Sequence, residues 1–214
     1  MNGVIARLIL ILFLLSYVWF LLSLYDANLV FKGDAALIFL LGAIMFSFVF
    51  LIQNPIQIKV ANSQLLVSKN YILGITVISV VAGFLQEFLK IIPALYKKWN
   101  MFFAAASGAG FGFIEAVIMT VPLPSLSVLA IAEWVIIITF QMAATAFIVY
   151  GFGISMKKGI LFFIAMSIVH MGVEFLIVLQ KMKPMVLPYT DLFLLLITLP
   201  VLLISVKKYR DTLL

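Results

Sequence analysis

Seven long apolar segments constrain the fold of this chain more than any other feature of its sequence. A helix needs about 20 mostly apolar residues to cross a bilayer. The segments that approach or exceed this length are Val4–Leu24, Ala35–Ile52, Tyr71–Tyr96, Met101–Val121, Val128–Gly153, Ile160–Gln180 and Asp191–Val206. Backbone groups inside lipid must bond within their own segment, which favours helices. The sequence therefore predicts an all-α membrane protein, a bundle of about seven transmembrane helices in one polytopic domain over residues 1–214.

Composition excludes several other classes of protein. With 66% hydrophobic residues and a mean hydropathy of +1.29, the chain does not fit a soluble domain. It has no cysteine, which excludes disulfides and thiolate chemistry. The net charge of +6 lies on loops beside the apolar segments, without a basic helix or aromatic platform outside them. We therefore expect contact with membrane lipid and no nucleic-acid partner.

The distribution of basic residues predicts an orientation in the cell membrane. Short connectors make neighbouring helices antiparallel, so alternate loops share a side. One side would carry eight basic residues, Lys32, Lys97, Lys98, Lys157, Lys158, Lys207, Lys208 and Arg210. The other would carry five, Arg7, Lys59, Lys69, Lys181 and Lys183. The positive-inside rule then places the C-terminus in the cytoplasm and the N-terminus outside.

The longest connector, Gln53–Asn70, has an alternating pattern. Ile56, Ile58 and Val60 alternate with polar residues, and Ala61–Ser63 could form a turn before Leu65–Val67. This period of two is typical of a short hairpin, here at the membrane interface, with an amphipathic helix as the alternative.

Three polar residues lie deep inside the third apolar segment. Glu87 and Lys90 are three residues apart and Gln86 and Lys90 are four apart, so all three share one helical face. A charge at this depth normally faces the bundle interior and has a partner. A neutralised Glu87–Lys90 pair that only helps packing is the simplest interpretation.

Further polar residues fall at a similar depth in the next helices. With a rise of about 1.5 Å per residue, Glu87 and His170 lie roughly 15 Å from the predicted cytoplasmic loops. Glu115, Gln141 and Glu174 lie roughly 20–22 Å from the same loops. Since each buried polar group is costly alone, their shared depth favours a functional cluster over a purely structural network. Glu133, in contrast, is predicted near the outer end of its helix, where an interfacial role suffices.

A run of small residues, 104–112, precedes Glu115 in the fourth segment. Gly108 and Gly112 have the four-residue spacing of small residues at close helix contacts. The run could also leave room for a substrate backbone beside Glu115.

Three short motifs, on the third, fourth and sixth predicted helices, are similar to a known superfamily. They are Gln86-Glu87-x-x-Lys90, Phe111-x-x-x-Glu115 and His170-x-x-x-Glu174. In this order they resemble the motifs of the glutamic intramembrane proteases, which include the CAAX prenyl endopeptidases, PrsW and the YhfC-type membrane peptidases. Two stretches resemble YhfC-type proteins further, namely Leu41–Phe46 leading to Asn54-Pro55, and Gly108-x-Gly110-x-Gly112-x-x-Glu115-Ala116.

The resemblance implies a CAAX-protease-like helical core that hydrolyses peptide bonds of a membrane-protein or peptide substrate. In that family a carboxylate activates water, and His170 with its neighbour would stabilise the oxyanion. Gln86 stands where the superfamily has its water-activating Glu, so Glu87 or Glu115 would have to be the base. Phe111 and Gln141 stand where histidines are expected, and Glu174 replaces Asp. The resemblance therefore implies the fold more strongly than the activity.

Other function classes stay open. The seven-span plan, with Ser107-Gly108 ahead of Phe111-Gly112 and one late His, also resembles the anterior-pharynx-defective subunit of gamma-secretase, which is regarded as a non-catalytic scaffold. Buried Glu and His also build proton pathways in transporters, although no inverted repeat is visible. No cofactor is expected, and a divalent metal held by Glu87, Glu115, His170 and Glu174 is a minor alternative, because Lys90 would oppose its charge.

Overall fold

The computed structural model describes residues 3–63, 71–97, 99–120, 127–182 and 187–213, and these residues form seven α-helices without a strand. The helices are α1 Gly3–Tyr25, α2 Gly33–Asn62, α3 Tyr71–Leu95, α4 Met101–Thr120, α5 Val128–Ile154, α6 Met156–Met182 and α7 Leu187–Asp211. Each contains a stretch long and apolar enough to cross a membrane. The predicted all-α bundle of seven helices is confirmed, and the chain is a multi-pass membrane protein.

Polar side chains cap three of the helix starts. The Oδ1 atom of Asn100 accepts hydrogen bonds from the backbone amides of Phe102 and Phe103 at the start of α4. Ser127 accepts from Ala130 at the start of α5, and Ser155 accepts from Lys158 at the start of α6. Such caps satisfy amides that have no partner inside the helix. Because Ser155 caps α6, that helix begins at Met156, earlier than the predicted Ile160.

The predicted hairpin at residues 53–70 is wrong in its first half. Helix α2 continues through Pro55 to Asn62, so Ile56, Ile58 and Val60 are helical. Proline removes one backbone donor from a helix, but a continuing helix still bonds most backbone groups internally. A hairpin in apolar surroundings would instead leave an unpaired edge. The predicted second strand, Leu65–Val67, lies outside the described residues.

Five of the helices form a ring around the interior. Helix α2 packs against α3 and α4, α5 packs against α4 and α6, and α3 closes the ring against α6. Helices α1 and α7 lie outside this ring and contact each other; α1 packs against α4 and α5, and α7 packs against α5 and α6. Helix α3 also reaches α4 and α5 across the interior. The polar residues of the predicted cluster are carried by four of these ring helices.

Glycines allow close contact between α4 and its neighbours. A methyl group at Gly110 would overlap the carbonyl of Phe39 on α2, and one at Gly42 would overlap the carbonyl of Ser107 on α4. Small residues at such contacts let helix backbones approach in lipid. This contact fixes which face of α4 is turned toward the interior.

Candidate functional site

The buried ion pair on α3 is the centre of the polar cluster. Lys90 Nζ lies 2.5 Å from Glu87 Oε1, and both side chains are inaccessible to solvent. Lys90 also donates a hydrogen bond of 2.5 Å to Oε1 of Gln141 on α5 and lies 5.5 Å from the centre of the Phe140 ring. The predicted pairing of Glu87 with Lys90 is therefore present. The amide of Gln141 extends it to α5.

His170 joins α6 to the same carboxylate. Its Nδ1 atom lies 2.8 Å from Glu87 Oε1, and its Nε2 atom lies 3.8 Å from Oε1 of Glu174, one turn further along α6. The edge of the ring packs against Phe140, with ring centres 5.5 Å apart. His170 is thus held between two carboxylates. Its contact with Glu174 is the one that their four-residue spacing predicts.

Side-chain amides connect the ion pair to the other two acids. Gln141 Nε2 donates to Glu115 Oε2 at 2.8 Å and to Gln86 Oε1 at 3.4 Å. Gln86 Nε2 donates in turn to Glu174 Oε1 at 3.4 Å and to Gln53 Oε1 at 3.2 Å. Bonds longer than about 3.2 Å are weak, so Gln86 is held more loosely than Glu115.

The cluster borders a cavity of about 510 Å³ inside the ring of helices. Its wall contains three carboxylates, those of Glu115, Glu133 and Glu174. Four amide side chains line it as well, namely Gln53, Asn54, Gln57 and Gln86. The remaining wall is apolar or aromatic and is formed by Phe46, Val49, Phe50, Ile78, Met119, Ala130, Trp134, Ile137, Ile177 and Val178. A mostly apolar cavity with a few convergent polar groups is the usual form of a ligand site.

The structure separates the predicted site residues into two groups. Gln86, Glu115 and Glu174 line the cavity. The others are buried behind its wall, namely Glu87, Lys90, Gln141, His170, Phe111, Gly108 and Gly112. Only the first group can touch a molecule in the cavity without rearrangement. The second group holds the first in position.

Phe111 has an apolar role where the resemblance would place a histidine. Its side chain is inaccessible and packs edge-on against Phe46 of α2, with ring centres 5.0 Å apart. Leu89 of α3 belongs to the same apolar cluster. Phe111 therefore supports the cavity wall from behind.

The two glycines predicted to flank the site face α5. A methyl group at Gly108 would overlap the backbone oxygen of Gln141, and one at Gly112 would lie 3.0 Å from the Gln141 Cβ and the Ile138 Cα. The close helix approach is therefore present. The space considered for a substrate backbone is filled by α5.

Several polar residues of the site were not identified from the sequence. Glu133, predicted to be interfacial, lines the cavity, and so do the α2 amides of Gln53, Asn54 and Gln57. Those amides fell in the connector interpreted as a hairpin, although their spacing of three and four residues is that of one helical face. The contact made by Ser107 was not predicted either: its hydroxyl donates to the Lys90 carbonyl at 2.6 Å. A hydroxyl that bonds a backbone group leaves no local sequence signal.

The arrangement does not match a metal site. Within the described ranges no group of three or more His, Asp or Glu side chains is placed to hold a metal ion. Glu87 of the proposed ligand set is bonded instead to Lys90 and His170.

Comparison of the chain with protein-family models, curated proteins and solved structures finds no match. The resemblance to glutamic intramembrane proteases therefore stays a prediction that rests on the motifs themselves.

Proposed function

We propose that this protein is an intramembrane peptidase-like protein whose cavity hydrolyses a peptide bond with Glu115 as the base. The observation that carries the proposal is the position of Glu115. It lies on the cavity wall inside a ring of apolar helices. Gln141 donates hydrogen bonds to both Glu115 and Gln86 and so connects the two side chains. A carboxylate in such surroundings can activate water for attack on a carbonyl.

The proposed reaction has no covalent intermediate. Glu115 takes a proton from water while the water oxygen attacks the carbonyl carbon of the peptide bond. The proton then passes from Glu115 to the amide nitrogen as the C–N bond breaks. The products are a carboxylic acid and an amine, and Glu115 returns to its starting charge.

Amide N–H groups would stabilise the oxyanion that forms during attack. Gln86 is the first candidate, because it lines the cavity and its hydrogen bonds to Glu174 and Gln53 are long enough to exchange readily. His170 would act less directly, since its Nδ1 atom is engaged by Glu87 behind the wall. Lys90 positions Gln141, and Gln141 positions Glu115.

The first prediction concerns Glu115. The full-length protein in detergent should cleave single-span membrane peptides slowly, and Glu115→Gln should reduce the rate about a hundredfold or more because the base is lost. The matched control is Asp34→Asn, which makes the same change of an acid to its amide far from the cavity, where Asp34 pairs with Lys97. Product formation is followed by mass spectrometry. Equal cleavage by wild type and Glu115→Gln would exclude Glu115 as the base.

The second prediction concerns Gln86, where the superfamily would have its base. Gln86→Glu is nearly isosteric and adds a carboxylate to the cavity wall. Since Glu115 already serves as the base and the Gln86 amide as an oxyanion donor, we expect Gln86→Glu to give no gain in rate. A gain of about 10²- to 10⁴-fold, the usual effect of restoring a general base, would contradict Glu115 as the base. Asn28→Asp makes the same change of an amide to its acid at an exposed residue that does not line the cavity, and it serves as control. A higher cleavage rate in both variants would indicate a general effect of the added charge.

The second candidate function is a non-catalytic scaffold or partner-binding protein of the same fold. One observation favours it: the Glu87–Lys90 pair is bonded to His170 and Gln141 behind the cavity wall, as a network kept for packing would be. The absence of cleavage by wild type and by Gln86→Glu, over several substrates, would favour this function.

For orientation we propose that the C-terminus lies in the cytoplasm and the N-terminus outside, in the cell membrane. The support is the excess of basic residues on one set of loops, eight against five.

A further inference from the structure

Three amide side chains on α2 form a row along the cavity wall. Gln53, Asn54 and Gln57, which we call the α2 amide row, are spaced so that they share one helical face, and all three line the cavity. Gln53 is bonded to Gln86. The described part of the chain offers the side chains of Asn54 and Gln57 no hydrogen-bond partner.

We propose that the α2 amide row hydrogen-bonds the main chain of an extended peptide segment in the cavity. This inference rests on the proposed function and adds the residues that position its substrate.

The chemistry of the row fits a peptide main chain. A carboxamide both donates and accepts hydrogen bonds, and so does each peptide group. A peptide that is not helical needs such partners inside a membrane, because unpaired N–H and C=O groups are costly there. An acyl chain has no group that could bond the row, and burying the amides against it would leave them unpaired.

The spacing of the row fits an extended chain. Gln53 and Gln57 are four residues apart, which is about 6 Å along a helix. Main-chain groups on the same side of an extended strand repeat every second residue, or about 6.6–6.8 Å. The two amides can therefore meet two successive same-side peptide groups.

The rest of the wall is suited to the side chains and to the reacting bond. Phe46, Val49 and Ile177 provide apolar surface on two sides of the cavity. Gln53 bonds Gln86, which shares the partner Gln141 with Glu115. The row thus leads along α2 toward the carboxylate proposed as the base.

The test is an N-methyl scan of the apolar segment of a single-span membrane peptide. Each peptide in the series carries one N-methyl group, which removes a single main-chain donor. Binding to the full chain in detergent is measured by calorimetry, with titration into empty micelles subtracted. We expect alternate positions to lose about three- to tenfold in affinity, because only one side of an extended chain faces the row.

Variants assign the pattern to the row. Gln57→Leu and Asn54→Leu should each remove the difference between the methylated and unmethylated peptide at one position. Asn62→Leu makes the same kind of change on an exposed part of α2 that does not line the cavity, and it should leave the alternating pattern intact.

Binding and cleavage give separate results. An alternating pattern that the row variants remove supports the inference even if no peptide is cleaved, in which case the proposed hydrolysis fails alone. Cleavage with equal affinity for every methylated peptide would overturn the inference and leave the hydrolysis standing. Failure of every peptide to bind, or equal loss in Asn62→Leu, would also overturn it.

Discussion

At the scale of single residues, the site depends on how Lys90 is compensated in apolar surroundings. Its ammonium group has a carboxylate and an amide oxygen at hydrogen-bond distance and an aromatic ring nearby. Removing one partner of a buried pair leaves an uncompensated charge, whereas removing both leaves only a packing change. The same lysine therefore stabilises the bundle and orients Gln141 toward Glu115.

A stability comparison tests this dependence on Glu87. Glu87→Ala should destabilise the protein by about 3–5 kcal/mol, because Lys90 then loses its counter-charge. The double variant Glu87→Ala with Lys90→Met should lose less free energy of unfolding than Glu87→Ala alone, although one more residue is changed. Unfolding by denaturant in mixed micelles measures both values. Equal losses in the single and double variants would mean that the pair is not coupled.

At the scale of helices, α4 determines how the site is presented. Gly108 and Gly112 on one face meet α5, and Gly110 on another face meets α2. These contacts leave α4 little freedom to rotate about its axis. Glu115, one turn beyond Gly112, is directed by them to the cavity wall. The small-residue run thus acts through helix packing.

A single methyl group tests the contact between α4 and α2. Gly110→Ala should destabilise the protein by about 1–3 kcal/mol, because the new Cβ meets the Phe39 carbonyl and the backbones must separate. Gly153→Ala in α5 is the matched control, since nothing lies within 4 Å of its added Cβ. Alanine is the better helix former, so the control should be neutral or slightly stabilising. The melting temperatures of both variants give the comparison, and equal values would contradict a tight α2–α4 contact.

At the scale of the whole molecule, contacts between helix ends establish the antiparallel order. Arg210 at the end of α7 donates to the carbonyl of Leu24 at the end of α1. Lys97 after α3 pairs with Asp34 at the start of α2. These four ends therefore lie together, as the short connectors predict. The cavity lies toward the opposite end, where α2 ends and α5 begins.

Cysteine labelling tests which end faces the cytoplasm. The chain has no cysteine, so single substitutions give an unambiguous signal. Asn28→Cys and Ser155→Cys should resist a membrane-impermeant maleimide in intact cells, and Ser63→Cys should react. All three should react after permeabilisation, which is the control for exposure. The reverse pattern would place the C-terminus outside.

Local chemistry along the chain is enough to predict the seven helices and the pairs formed along one helix. Apolar length forces a membrane-spanning helix, and the helical repeat brings Lys90 to Glu87 and Glu174 to His170, so local chemistry suffices. The common depth of the acids followed from the constant rise per residue. The sequence pattern did not identify the α2 amides as site residues, because a short alternating stretch fits a strand and a helix equally well.

Which carboxylate faces the cavity could not be predicted from the sequence and follows from the packing of the helices. That choice depends on the rotation of each helix about its own axis, and the rotation is set by contacts between residues far apart in the chain. Glycine contacts turn Glu115 toward the cavity, whereas Glu87 is turned toward Lys90 and His170 behind its wall. Acidic residues at a similar depth therefore have different surroundings, because packing between helices, not spacing along them, determines what each side chain can reach.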